Sequence, residues 1–451
     1  MAQPVRRPLR QPAGRHVGRP GPAHQLPHRR PAPAAAHGGL HPGHGDRRQP
    51  LLAVVADPGA AHRRPGAPPA GARHPSRRPA VPLGQPLRHR PETAVTVADT
   101  ARLAWFFGRL AVKERIAPRL HVRPLVAELF LTDNCNLRCT SCGCWTTNTK
   151  GELSTDEWRD VLRQLVALRI HKVNFTGGEP LIRPDALALM SYAREVGVRH
   201  LHLNTNGIRL TPPVLDEVLA AGVRSFNVSV DGPTALVHDR IRGRLGAFET
   251  TTRHLRNLIA ARDRLGLKVR MNFTVMRDNV DSLPGIAALA QELGVALYLN
   301  LVTDRTFLFR TDAVTDQTDV AGDRLDAALA ELETMARADR RWLPRYSELR
   351  YLRGHFDDLV QRDLPCAESQ LKLMVHSRGE IGGCWAHDPT ASVRQRPIAE
   401  IVDAPEYRDE HARLFRKECV GCGSNYSLNL RWRPGTYLAD RQWLRGRRRL
   451  V

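Results

Sequence analysis

The chain's 451 residues are enough for two or three domains, but its formal charge of +22 is unevenly spread. Residues 1–92 hold 16 arginines, no lysine, three acids and 19 of the 33 prolines, with no aromatic residue, so they cannot bury enough apolar surface to order a domain. No apolar run approaches the ~18 residues of a membrane span, and eight cysteines in a long chain without a signal peptide point to metal binding or catalysis in the cytoplasm before disulfides.

Three readings compete for the arm 1–94: a nucleic-acid-binding tail, a targeting peptide, or an upstream extension outside the native protein. The last is favoured, because periodicity begins abruptly near residues 95–98. VADTARLAWFFGRLAVKERI (97–116) reads as one amphipathic helix, within a segment 95–123.

From residue 124 strands and helices alternate. LVAELFLT (125–132), KVNFT (172–176), HLHLNT (200–205), SFNVSV (225–230), KVRMNFTV (268–275) and ALYLNLV (296–302) read as near-continuous apolar strands. Helices are expected over 154–169, 186–197, 212–222, 247–266 and 282–294, with Ser154 or Thr155 and Thr211 as caps. Six such units imply parallel strands and an α/β fold, a partial (β/α)6 barrel over 124–310, with sites at the strand C-termini. A helical connection (311–345), a less regular region (346–430) and a basic tail (431–451) complete the chain.

The motifs cluster at strand ends. Cys135, Cys139 and Cys142 form C-x3-C-x2-C after the first strand. Soft thiolates select zinc, Cu(I) or iron–sulfur clusters. A structural zinc needs four protein ligands, whereas three thiolates suit a cubane with one iron left open. Gly177-Gly178-Glu179-Pro180 follows the second strand, Asn204-Thr205-Asn206-Gly207 ends the third, and SVDGP (229–233) with HDRIRG (238–243) ends the fourth.

Together these motifs resemble the radical S-adenosylmethionine (SAM) superfamily. The resemblance implies that Cys135, Cys139 and Cys142 hold a [4Fe-4S] cluster whose open iron chelates SAM. It implies SAM contacts at Gly177, Gly178, Glu179, Pro180, Asn204, Asn206, Ser229, Asp231 and Arg242, with Asn272 a weaker candidate. Ser141 departs from the family, which commonly has an aromatic residue there for the adenine; Trp145 lies close by. Cys144 falls outside the pattern and is expected to be a buried thiol.

Cys366, Cys384, Cys419 and Cys422, with Gly379 between the first two, resemble the start of a SPASM-type or shorter twitch-type auxiliary domain over 346–430. That resemblance implies a second, fully ligated [4Fe-4S] cluster used for electron transfer. A four-cysteine zinc site is the alternative the spacing allows. The family implies an electron donor such as flavodoxin or ferredoxin.

Other polar residues have plainer expectations. His202 and Tyr298 are expected to pack, and His171, His238, His376 and His387 lack metal-ligand spacing. Asp304 and Arg305 follow the sixth strand, where a substrate could meet them, but a plain helix-start or loop role is the favoured expectation. Glu128 and Asn300, inside apolar strands, need partners or a lumen.

The favoured reaction is hydrogen abstraction from a small natural-product intermediate of sugar, cyclitol or nucleoside type, giving dehydrogenation, epimerisation or decarboxylation. Maturation of a ribosomally made peptide is the alternative; no winged-helix pattern precedes residue 124. A nucleic-acid-binding protein with structural clusters ranks third, since residues 93–451 carry only 22 − 13 = +9.

Overall fold

The computed structural model describes residues 97–302, 317–355, 365–384, 388–419 and 440–441. The arm 1–94, Asp304, Arg305, His387, Cys422 and nearly all of the basic tail lie outside the described residues.

Helix α1 (Val97–Arg115) precedes six strands: β1 (Val126–Phe130), β2 (Lys172–Thr176), β3 (His200–Thr205), β4 (Val223–Ser229), β5 (Lys268–Val275) and β6 (Ala296–Leu301). Successive strands pair in parallel, from Val126↔Lys172 to Val275↔Leu301. The crossovers carry α2 (Thr155–Ala167), α3 (Ala186–Glu195), α4 (Pro212–Ala220), α5 (Ala235–Arg242), α6 (Ala247–Leu265) and α7 (Leu283–Leu293). The architecture is the expected partial (β/α)6 barrel. Among the described residues, no helix is long and apolar enough to cross a membrane.

Helix α2 shows how local sequence sets these elements. Ser154 Oγ accepts from the Glu157 backbone N–H at 3.3 Å, and Glu157 Oε2 accepts from the Ser154 N–H at 2.8 Å. This capping box satisfies two end donors. Trp158, Val161, Leu162 and Leu165 then fall on one face and are buried against the sheet. At α4, Thr211 is the N-cap residue but makes no side-chain cap bond.

The strands depart from the expectation of apolar residues on both faces. Ala127, Leu129, Val173, Phe175, Leu201, Leu203, Phe226 and Phe273 are buried in the main core with the helices. Each such Leu or Phe contributes about 1.5–3 kcal/mol. The alternate positions are polar and line a cavity: Glu128 on β1, Lys172 and Asn174 on β2, His202 and Asn204 on β3, Asn227 on β4, Arg270 and Asn272 on β5, Tyr298 and Asn300 on β6. The barrel interior is a lumen lined by polar side chains, so period-2 alternation replaces the packed two-faced pattern.

The sheet also extends past β1. Strand β7 (Lys372–Val375) pairs with β1 in parallel, Val126↔Lys372, and β8 (Glu380–Gly382) and β9 (Ala391–Ser392) follow antiparallel. The order is β6-β5-β4-β3-β2-β1-β7-β8-β9. Helices α8 (Gly322–Ala338), α9 (Tyr346–His355), α10 (Glu368–Leu371), α11 (Ile398–Asp403) and α12 (Pro405–Phe415) complete the described elements.

Candidate functional site

The cysteine loop leaves β1 and is seated on the turn after β2. Gly178 N–H donates to Thr132 O at 2.7 Å and Glu179 N–H to Asn134 O at 2.9 Å. A Cβ on Gly178 would sit 2.0 Å from Asn134 O, and one on Gly177, whose φ is +128°, 2.4 Å from Thr132 O. No side chain fits in that gap. The glycine pair therefore admits the cysteine loop itself. Glu152, which the sequence reading passed over, pins the same loop by accepting from Thr132 Oγ1 at 2.9 Å and Asp133 N–H at 2.7 Å.

Glu179 is fully buried and does not line the cavity. Its carboxylate accepts from Thr205 Oγ1, from Asn206 N–H at 2.7 Å and from Leu181 N–H at 3.1 Å. Burial pushes its pKa up, against the pull of those hydrogen bonds. Asn206, so fixed, donates through Nδ2 to Asn136 Oδ1 at 2.7 Å and lies 3.9 Å from Cys135 Sγ. Pro180, behind the same turn, opens a short 3-10 segment.

The third anchor is the end of α5, a helix where the sequence reading had only a motif. Thr140 N–H donates to Ile241 O at 2.9 Å, and a Cβ on Gly243 would meet Arg138 O at 2.2 Å. Arg242 Nη2 pairs with Asp231 Oδ2 at 2.7 Å and its Nη1 donates to Cys139 Sγ at 3.8 Å. Asp231 also accepts from Thr274 N–H at 3.0 Å, while its own N–H donates to His238 Nδ1 at 3.1 Å.

A cavity of about 460 Å³ joins these parts. Its wall includes Cys135, Cys139 and Cys142, then Gly177 and Gly178, then Asn204, Asn206, Ser229, Asp231 and Arg242, with Asn272. Cys144 and Trp145 also border it, and Trp145 Nε1 donates to Cys139 O at 3.3 Å. Of the expected SAM-contact residues, only Glu179 and Pro180 stand off the wall.

The donor set fits an iron–sulfur cluster. Burial pushes the Cys135 thiol up to about 11 and the Cys139 thiol up to about 12, so thiolates there need a metal's positive charge. Arg242 Nε and Asn136 Nδ2 are buried donors without a partner beside those sulfurs. One zinc ion holds thiolates about 4 Å apart. Among the described residues, the trio of ligand atoms within 4.8 Å is Asp99, His171 and His200, not a cysteine set.

Cys366, Cys384 and Cys419 stand before α10, after β8 and after α12. Cys366 N–H donates to Phe415 O at 2.9 Å, and His411 of α12 packs on Gly383, so these segments converge. Cys422 lies outside the described residues.

Residues 129–290 match the family described as the Radical SAM superfamily. An AdoMet-dependent heme synthase of Methanosarcina barkeri is 36% identical over 177 residues, 39% of this chain and 49% of that protein. A PqqA peptide cyclase of Rhodopseudomonas palustris is 35% identical over 174 residues, 38% of this chain and 44% of that protein. The chain thus spans about half the length of the curated relatives it matches. Among solved structures, Streptococcus suis SuiB bound to S-adenosylmethionine shares the fold, with a TM-score of 0.51 and 14% identity over 69% of this chain and 73% of that one. Sequence match, sheet order and the converged motifs agree that residues 129–290 are a radical SAM domain.

Proposed function

We propose that the protein is a radical SAM enzyme acting on a peptide. The observation that carries it is the meeting of three strand-end motifs on one cysteine loop: Gly177-Gly178, Asn206 and Arg242 each touch it from a different unit. Cys135, Cys139 and Cys142 would hold a [4Fe-4S] cluster. When bound, that cluster supplies the electron that splits the sulfonium of SAM, and the released 5′-deoxyadenosyl radical takes hydrogen from the substrate.

The chain's own residues prepare that event. Gly177, Gly178, Asn204, Asn206, Ser229 and Asp231 form the wall against which SAM lies, with Trp145 beside it. Arg242 keeps a positive charge at Cys139 and orients Asp231. Glu179 acts from behind, holding the Thr205–Asn206 segment in place, and Pro180 opens the 3-10 segment that follows it. The lumen below, lined by polar side chains, receives the substrate.

The peptide reading replaces the small natural-product reading as the favoured one, because a similar protein is named a peptide cyclase. Cys366, Cys384, Cys419 and Cys422 would hold the auxiliary cluster, and a flavodoxin or ferredoxin would deliver the electron. Anaerobically reconstituted protein with dithionite and SAM should release 5′-deoxyadenosine, and Cys139→Ala should not. No release from the wild type overturns the proposal. Iron near eight per chain supports two clusters, whereas about four removes the second.

A further inference from the structure

The lumen floor holds charge that the SAM chemistry does not use. Lys172 opens β2, and Thr176 closes it beside the glycine turn. Four strand steps separate them, so Lys172 sits about 13 Å below the cluster end of the barrel. Two acids share this floor, and both are taken: Lys372 pairs with Glu128 at 2.8 Å and with Glu368. Arg270 lies on the same wall. Lys172 Nζ has no hydrogen-bond or ion-pair partner among the described residues. Burial, then Arg270 and Lys372, pull its ammonium down to about 7. The Glu128 carboxylate pulls the other way but does not offset them.

Acceptors stand unclaimed beside it. Asn174 is one lumen position above Lys172 and only 6% exposed, yet its Oδ1 has no partner. Asn227 donates through Nδ2 to Asn204 Oδ1 at 3.0 Å, while its own Oδ1 is buried and unpaired. His202, above the floor, is fixed by Ser225 Oγ at 2.7 Å and Asn204 Oδ1 at 3.0 Å. Burial, then Lys172, keep its imidazole neutral. Buried amide oxygens lose free energy while unmatched, and the half-buried ammonium of Lys172 faces the same cavity.

We propose that the lumen floor is a substrate subsite for a carboxylate with an N–H or O–H donor beside it, the carboxylate lying against Lys172 and Arg270 and the donor against Asn174 and Asn227. The subsite rests on the radical SAM reading only in assigning the occupant as substrate. It implies that hydrogen is taken from an atom about 10 Å from that carboxylate, since the anchor and the SAM wall lie at opposite ends of β2. Side-chain carboxylates of a peptide and free small hydroxy acids share this chemistry.

The chain has six lysines in total, so Lys172 can be watched directly. Full-length reconstituted protein is reductively methylated with carbon-13, and Lys172→Met assigns the Lys172 resonance. Acetyl-Gly-Glu-Gly-amide, lactate, and their neutral counterparts acetyl-Gly-Gln-Gly-amide and lactamide are titrated at constant ionic strength. A saturable shift of the Lys172 signal with a carboxylate and not with its amide supports the subsite; the tighter binder identifies a peptide or a free acid. An Asn174→Ala variant should weaken that binding at least 5-fold while its melting temperature tracks the wild type. Equal shifts with the neutral probes, or a shift that chloride reproduces, overturn it. Release of 5′-deoxyadenosine from wild-type protein judges the enzyme reading separately, because the titration needs neither SAM nor reductant.

Discussion

Asn206 Nδ2 donates to Asn136 Oδ1 at 2.7 Å, tying the end of β3 to the residue after Cys135. The same Asn206 is held from below by Glu179 through its backbone N–H. The cysteine loop is thus fixed by a side chain from another βα unit.

Replacing Asn206 with Ala should cost about 1–2 kcal/mol, the usual loss for a buried hydrogen bond with its partner stranded. The larger effect should fall on iron. Loss of cluster to a chelator, followed by absorbance near 400 nm, should speed up several-fold, while the thermal transition moves by only a few degrees.

Gly178→Ala should be far more damaging than its size suggests. Its Cβ would lie 2.0 Å from a backbone oxygen, which has no flexible end to swing aside. We expect loss of at least about 2–3 kcal/mol, with poor iron incorporation. Gly108→Ala is the matched control. Gly108 lies in α1 with nothing within 4 Å of its would-be Cβ, so alanine should stabilise by about 0.5–1 kcal/mol. Denaturant midpoints of the two variants decide it.

Acid should weaken the fold through buried neutral histidines. His238 is 1% exposed and accepts the Asp231 N–H on Nδ1; burial, then Arg242, pull its pKa from 6.5 to about 3. The unfolded chain takes up a proton near pH 6.5, and the folded one does not until about pH 3. The contribution is complete above pH 6.5 and drains as pH falls, by up to about 1.4 kcal/mol per pH unit. His171, drawn down to about 4 by burial and by His200, adds in the same direction. Urea unfolding at pH 7.5, 6 and 5 should show the decline, and His238→Gln should flatten it by roughly one proton. An unchanged slope would place the titration elsewhere.

Ser154→Ala removes the N-cap of α2 and half of its capping box. A loss of about 1 kcal/mol in urea midpoints is expected, with iron content and 5′-deoxyadenosine release as in the wild type, since α2 lies outside the barrel. A drop in iron would mean that α2 does more than cover the sheet.

The sequence made the six strands legible because each is short, repeats after a helix of ordinary length, and ends in residues unlike its interior. It made the cysteine loop and its three companion motifs legible because each is local. The lumen was harder. Lys172, Asn174 and Thr176, or Arg270, Asn272 and Thr274, already alternate with apolar residues, but the Val, Phe and Met between them dominate a reading by mean hydropathy. Strict attention to every second position would have found the polar face. Glu179 could not be placed without structure: the motif gives its neighbourhood, but only packing shows that its oxygens are taken by Thr205, Asn206 and Leu181. Strand β7 escaped because four residues carry too little periodicity, and its partner lies some 250 positions earlier.

That partnership has a temporal consequence. Strand β1 is emitted early by the ribosome, yet one of its two edges waits for residues 372–375. Until they emerge, the strand that launches the cysteine loop is a bare sheet border, open to mispairing with another nascent chain. Metal insertion in the cell should therefore follow the emergence of residues 372–375 rather than accompany synthesis of the barrel strands, and chains truncated before residue 372 should accumulate as aggregates rather than as an iron-loaded barrel.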